Sequence, residues 1–485
     1  MFKPKTAPGT AIVFAAGLTL AGCNLAPKYV RPGPPVPVDS PAGPAYGATG
    51  AGVAAVSADT AWEAFFTDER LRSAIRTALI NNRDLRISVA NVEQARAQYR
   101  VQRADLFPTL GGTGSATYAK SPFSTTGSTG TGTGAGSGTT GSGRTDIYSA
   151  NLGVSAWEID LFGRLRNLTR AQQEAYFAAA ENRNAAQTAL IAEMATAWLT
   201  MAADQDRLEI ARNTEKAYGE TVKLNEARFR NGIASELEVR QARTSYDQAR
   251  SDIANATTLI AQDQNALNLL AGTTLAADML PTRLPESGTT LVNLPANLPS
   301  DVLLHRPDVA AAEHQLMAAN ANIGAARAAF FPQISLTAAV GTLSLGLSNL
   351  FASGSGSWSV APSITQPLFD FGRNKGNLRY AEATRDAMVA TYERSIQSAF
   401  REVADALARR GTITSQLEAQ TSLRDNAAGA YRLSDLRFRA GVDTFLNTLD
   451  SQRQLYTAQQ SLLATRLTRD TNSVELYRAL GGGLK

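Results

Sequence analysis

With 485 residues and 47 Lys plus Arg against 43 Asp plus Glu, the chain has a formal charge of +4, which gives no electrostatic case for binding nucleic acid. Hydrophobic residues make up 44% but aromatic residues only 7%, so the apolar content rests on small side chains, Ala above all, and a large Leu- and Phe-centred core is not expected. One cysteine, Cys23, and two histidines, His305 and His314, exclude an internal disulfide, a thiolate zinc cluster and an HExxH-type site, so no catalytic, cofactor-binding or metal-ligating set is expected and the chain is not read as an enzyme.

The chain opens with Lys3 and Lys5, an apolar run from Ala11 to Leu20, and then Leu20-Ala21-Gly22-Cys23. That run is shorter than the ~20 residues a helix needs to span a bilayer, so residues 1–22 are expected to be a signal peptide. The tetrapeptide resembles the lipobox of bacterial lipoproteins, which implies a diacylglyceryl group on the Cys23 thiol. The alternative is an ordinary leader that happens to contain a cysteine. Asn24 after it resembles an outer-membrane sorting signal. Residues 23–61 then form a tether, rich in Pro and Gly between Pro27 and Pro44.

From there the chain is written twice. Asp84 to Leu110 matches Asp308 to Ile334 at constant spacing, laying Phe107-Pro108 on Phe331-Pro332. Phe162-Gly163-Arg164 through Gly272 then matches Phe371-Gly372-Arg373 through Gly481 at a shorter spacing. Residues 62–272 are the first repeat, 273–307 a linker and 308–485 the second repeat. The change of spacing places an insertion between Pro108 and Phe162, which contains the Gly/Ser/Thr tract Ser124 to Gly143. Such a composition buries too little surface to order itself, so the tract is expected to be a solvated loop.

Each repeat alternates long helix with short strands. After Gly163 no proline occurs before Pro281, and the break expected is the Asn231-Gly232 turn. A helix from about Arg164 to Arg230 would be ~100 Å long. Tyr246, Ala249, Ile253, Ala256, Ile260, Asp263, Leu267 and Leu270 keep 4,3 spacing, and Ser451 to Ala479 repeats it. This is the period of a left-handed supercoil, which suits an ordinary coiled coil as well as a channel wall.

Between the helices, Tyr148, Leu152 and Val154 alternate with Ser149, Asn151 and Gly153. Trp358, Val360 and Ile364 likewise alternate with Ser359, Ala361 and Thr365. These segments fit a membrane β-barrel wall or the hairpins of a soluble sandwich. About four strands per chain are too few to close a barrel with a lumen, so a membrane-spanning sheet would require several chains.

In this order and in duplicate, the motifs resemble the TolC-type outer membrane factor family, in its lipid-anchored branch serving resistance-nodulation-division efflux systems. They are the lipobox, Trp62 to Asn82 as an amphipathic lead-in helix, Phe107-Pro108 and Phe331-Pro332 before strands, and Leu161-Phe162-Gly163-Arg164 and Asp370-Phe371-Gly372-Arg373 after them. Leu298 to Asp308 between the repeats and Leu446 to Arg453 complete the set. The resemblance implies an α+β membrane protein with four transmembrane strands and long coiled-coil helices per chain. Three copies would form a twelve-stranded β-barrel over an α-helical barrel. It implies an outer-membrane exit duct for drugs or other small toxic compounds, with a periplasmic adaptor and an inner-membrane transporter as partners and no cofactor. The same fold serving type I protein secretion, or a structural coiled-coil lipoprotein without a channel, are the competing readings.

Proline explains the helix-to-strand junctions, because it forbids helix continuation and extends the residue before it. Arg164 and Arg373 are read either as bilayer-interface residues or as solvated charges at helix starts. By the resemblance, the turn from Phe438 to Asp450 forms the periplasmic gate, Leu446 giving an apolar ring and Asp450 an acidic one. Their first-repeat equivalents, Leu237 and Gln241, do not duplicate the acid. Asp443 stands where some family members carry a basic residue. Gly130, Gly132 and Gly134 mimic part of a dinucleotide fingerprint but lie in the Gly/Ser/Thr tract, so no nucleotide site is expected and the energy for transport would come from the partner pump.

Overall fold

The computed structural model describes residues 24–37, 41–46, 61–120, 144–286, 290 and 300–482. The leader, Cys23 and the Ser124–Gly143 tract lie outside them. In chain order the elements are α1 (Trp62–Phe65), α2 (Glu69–Asn81), α3 (Arg83–Ala104), β1 (Leu110–Lys120), β2 (Arg144–Glu158), α4 (Arg164–Arg230) and α5 (Glu236–Ala271). The second half supplies α6 (Pro307–Ala328), β3 (Gln333–Ser344), β4 (Gly356–Thr365), α7 (Arg373–Arg439) and α8 (Phe445–Ala479). Both α4 and α7 run for 67 residues, with the start and end expected for α4. Among the described residues no helix is long and apolar enough to cross a membrane.

Two compact units divide the chain, and each draws on both halves. One comprises Met1–Val30, Ala95–Tyr176 and Gln315–Met388; the other comprises Arg31–Gln94, Phe177–His314 and Val389–Lys485.

The first unit holds a four-stranded antiparallel sheet in the order β1-β2-β3-β4. Its register aligns Gly112, Leu152, Val340 and Trp358 in one row and Leu110, Val154, Ala338 and Val360 in another. The row between them carries Gly111, Gly153, Ala339 and Ser359, and the next row beyond Gly112 carries Thr113, Asn151, Gly341 and Ser357. One face is therefore apolar and the other small or polar, because successive side chains of a strand point to opposite faces. Alternation on β2 stops at a bulge between Val154 and Trp157. There Ala156 takes φ 48 and donates its N–H to Thr337 Oγ1 at 3.1 Å, so a face for Ala156 extrapolated from strict period two does not hold.

Carboxylates start the long helices. Asp160 Oδ2 accepts from the Arg166 N–H at 2.9 Å, and Asp370 accepts from the N–H groups of Gly372 and Asn374, each at 2.9 Å. These matched aspartates satisfy donors that the first helical turn leaves free. Arg164 forks onto Glu158, with Nε to Oε1 at 2.9 Å, so it is a paired side chain at the strand end rather than a solvated charge. The chain after Cys23 lies along α6: the Leu25 carbonyl accepts from Arg327 at 3.5 Å and the Pro27 carbonyl from Asn320 Nδ2 at 2.8 Å.

In the second unit the lead-in segment is two helices, not the single one expected over Trp62 to Asn82. Phe66 is extended and bridges Thr290, and Asp68 caps α2 by accepting from Arg70 N at 2.8 Å. A strand-like pairing and a strong N-cap together outcompete helix continuation. Phe65 stacks on Tyr477 at 4.0 Å between ring centroids. Nearby, the buried Arg306 donates to the Ala479 carbonyl at 2.7 Å and to Asp308 and Glu402, holding the end of α8 to the segment that opens the second repeat.

Candidate functional site

Each long helix turns into its partner through the same five-residue tip. In the first, Gly232 has φ 71, its N–H reaches the Phe229 carbonyl at 2.9 Å, and the Ile233 N–H reaches the Arg228 carbonyl at 2.9 Å. In the second, Gly441 has φ 74, with Gly441 N–H to Phe438 at 3.0 Å and Val442 N–H to Arg437 at 2.9 Å. A left-handed residue followed by paired backward hydrogen bonds is the Schellman ending, and a Cβ would oppose it.

The second tip is braced by Asp443. Its carboxylate accepts from Thr444 N at 2.8 Å, Asn447 Nδ2 at 2.6 Å and Arg437 Nε at 3.2 Å. The backbone N–H of Thr444 first, then Asn447 and Arg437, hold this acid below the usual carboxylate range. The first repeat has Ala234 at this place.

Leu446 and Asp450 both lie on the exposed face of α8, one helical turn apart. Leu446 is 58% exposed, and Asp450 Oδ2 accepts from Gln454 Nε2 at 2.7 Å. The opposite face of the same turn is buried: Phe445, Thr448, Leu449 and Gln452. Phe445 and Leu449 join Phe438, Tyr218, Ala242 and Ala249 in an apolar cluster built from all four long helices. Of the expected coiled-coil positions, Ala249, Ala256 and Leu267 on α5 and Ala458, Leu462, Asn472 and Leu476 on α8 are buried, whereas Tyr246, Ile253, Ile260, Asp263 and Leu270 are half-buried and Val239, Ala242 and Ser245 are buried outside the series.

Polar contacts that the sequence reading missed tie α8 to α5. Arg453 donates from Nε and Nη2 to Ser245 Oγ at 3.2 and 3.1 Å, and Tyr456 donates to Asp252 Oδ2 at 2.8 Å. Burial, reinforced by Asp252, pushes the Tyr456 hydroxyl up. Both contacts border a cavity of about 350 Å³ that is also lined by Tyr218, Gln248 and Ala249. Further along α5, burial and the neighbouring Asp204 push Asp263 up to about 6. Arg207 pairs with Asp204. The matching places in the second repeat hold Asn472 and Ile413.

The outer membrane efflux protein family model matches residues 74–273 and 298–482. The chain belongs to the outer membrane efflux protein family. It is 46% identical over 467 residues to the toluene efflux pump outer membrane protein TtgC of Pseudomonas putida, covering 96% of this chain and 93% of that protein. It is 38% identical over 479 residues to the cation efflux system protein CusC of Escherichia coli, covering 98% and 99% of the two chains. Among solved structures, the open state of the Neisseria gonorrhoeae MtrE outer membrane channel superposes with a TM-score of 0.83 at 37% identity, covering 96% of this chain and 99% of that one. As a member of this family the chain is an outer-membrane efflux protein with a large periplasmic helical portion. Family members are channel proteins rather than enzymes.

Proposed function

We propose that three copies of the chain close one twelve-stranded barrel and form a passive exit duct, gated at the second helical tip by Leu446 and Asp450. The observation that carries this reading is the four-stranded sheet, which leaves β1 and β4 as edges and exposes Leu152, Val340, Trp358 and Val360 on one face. A bilayer tolerates an apolar face but no open edge, so closure must come from other copies. Leu368, Phe369 and Phe371, each at least 77% exposed just beyond β4, suit the aromatic and apolar girdle at a membrane interface.

Asp450 from three copies would meet around one axis as an acidic ring that attracts cations. The toluene and cation efflux named for the relatives favour small toxic compounds as cargo over secreted proteins. A periplasmic adaptor and an inner-membrane transporter would supply the energy. Cys23 is proposed as the lipid attachment point: Leu25 lies beside Arg327, four residues before the Phe331-Pro332 entry to β3, which suits an anchor at the membrane end of α6.

The test is native mass spectrometry of detergent-solubilised mature protein together with planar-bilayer recording. A trimer that conducts is expected. A monomer, or a trimer without conductance even after gate mutation, would sink the proposal.

A further inference from the structure

We propose that Arg228 is a positioning residue that latches the first helical hairpin onto the hairpin bearing the gate, its guanidinium lying over the ring of Phe438. The latch rests on the proposed closure of the duct at the second helical tip. The Arg228 Cζ atom sits 4.4 Å from the Phe438 ring centroid, well inside the distance at which a cation is held by an aromatic face. Its Nε is buried with no hydrogen-bond partner among the described residues, which leaves the contact with the Phe438 ring as the interaction given for this guanidinium.

The ring itself is fixed. Phe438 is 2% exposed and lies 5.7 Å from Phe445, the residue next to Leu446. Any outward swing of the start of α8 that carries Phe445 and Phe438 along must lift the ring off the guanidinium.

Comparison of the two repeats separates this contact from ordinary tip packing. Both tips read Arg-Phe-Arg, at Arg228-Phe229-Arg230 and Arg437-Phe438-Arg439. Arg437 turns back to Asp443 of its own tip at 3.2 Å, and Phe229 is 46% exposed. Identical sequence is therefore used in two ways, and the first hairpin reaches across to the second. The geometry suits a latch that favours the closed population and that an opening partner must overcome by binding the open state better.

The experiment uses the full-length trimer in planar bilayers, with Phe438 replaced by mono-, di- and trifluorinated phenylalanine in the wild-type and Arg228→Gln backgrounds. Fluorine drains charge from the ring face while changing its size little. Open probability should rise stepwise with fluorine number, on the order of tenfold across the series, and the Arg228→Gln background should start high and be flat. A flat series with Arg228 present, or an equal slope in both backgrounds, overturns the latch. Leu446→Ala with Asp450→Ala is recorded alongside. If that variant raises conductance while the fluorine series is flat, the latch fails and the gate stands. If the series rises while the gate variant does nothing, Arg228 holds the tip closed around a constriction at other residues, and the gate reading fails.

Discussion

Tyr456 on α8 donates its hydroxyl to Asp252 on α5 at 2.8 Å, one turn beyond the Arg453 bond to Ser245. A hydrogen bond to a carboxylate in a half-buried site contributes about 1–2 kcal/mol. Tyr456→Phe keeps the ring and removes only the donor. We expect it to loosen α8 against α5, raising resting conductance while the trimer still migrates intact. Unchanged conductance would assign this bond to stability alone.

The gate itself is tested by Leu446→Ala with Asp450→Ala. Removing the exposed apolar side chain and the acid one turn away should raise single-channel conductance severalfold and weaken block by divalent cations. Gln241→Ala, at the equivalent place of the first repeat, should do less because no charge is lost. Unchanged conductance with the trimer intact would place the constriction elsewhere.

The long helices were legible because their punctuation is local. Gly163 and Gly232 bracket α4, and the 4,3 spacing of small and apolar residues names part of the packed set, Ala249, Ala256 and Leu267 on α5 among it. The apolar and polar faces of β4, and of β2 as far as the bulge after Val154, followed from period two. What stayed hidden depends on partners distant in sequence. The break at Phe66 needs Thr290, and the brace at Arg453 needs Ser245. The repeat also conceals what distinguishes its copies. Arg228 and Arg437 are aligned residues, yet one reaches Phe438 and the other Asp443, since Ala234 stands where the second tip has its acid.

Cys23→Ser should abolish acylation and weaken membrane attachment of unassembled chains. The strands that form the sheet begin far downstream at Leu110, so trimer assembly should persist. Intact-mass measurement of the mature protein checks this: a mature chain with an unmodified Cys23 would remove the lipid anchor from the account.

The carboxyl pair of Asp204 and Asp263 should make the stability of the α4–α5 hairpin depend on pH, greater in mild acid than at neutral pH. Asp263 is raised from 3.8 to about 6, chiefly by burial and then by the charge on Asp204, so the folded state binds the extra proton more tightly than the unfolded chain. Stability from this pair is present in full below the unfolded value near 4 and is lost as pH rises through about 6. Asp263→Asn places in the first repeat the residue type that the second repeat has at Asn472, and an amide can donate to Asp204 at any pH. Allowing for solvent screening of the part-exposed group, the variant should gain on the order of 1 kcal/mol at pH 7.5 and little at pH 4.5. The measurement is the heat-dissociation midpoint of the detergent-solubilised trimer across that range. An equal shift at both ends would show that the pair does not exchange a proton there and that the gain, if any, is packing.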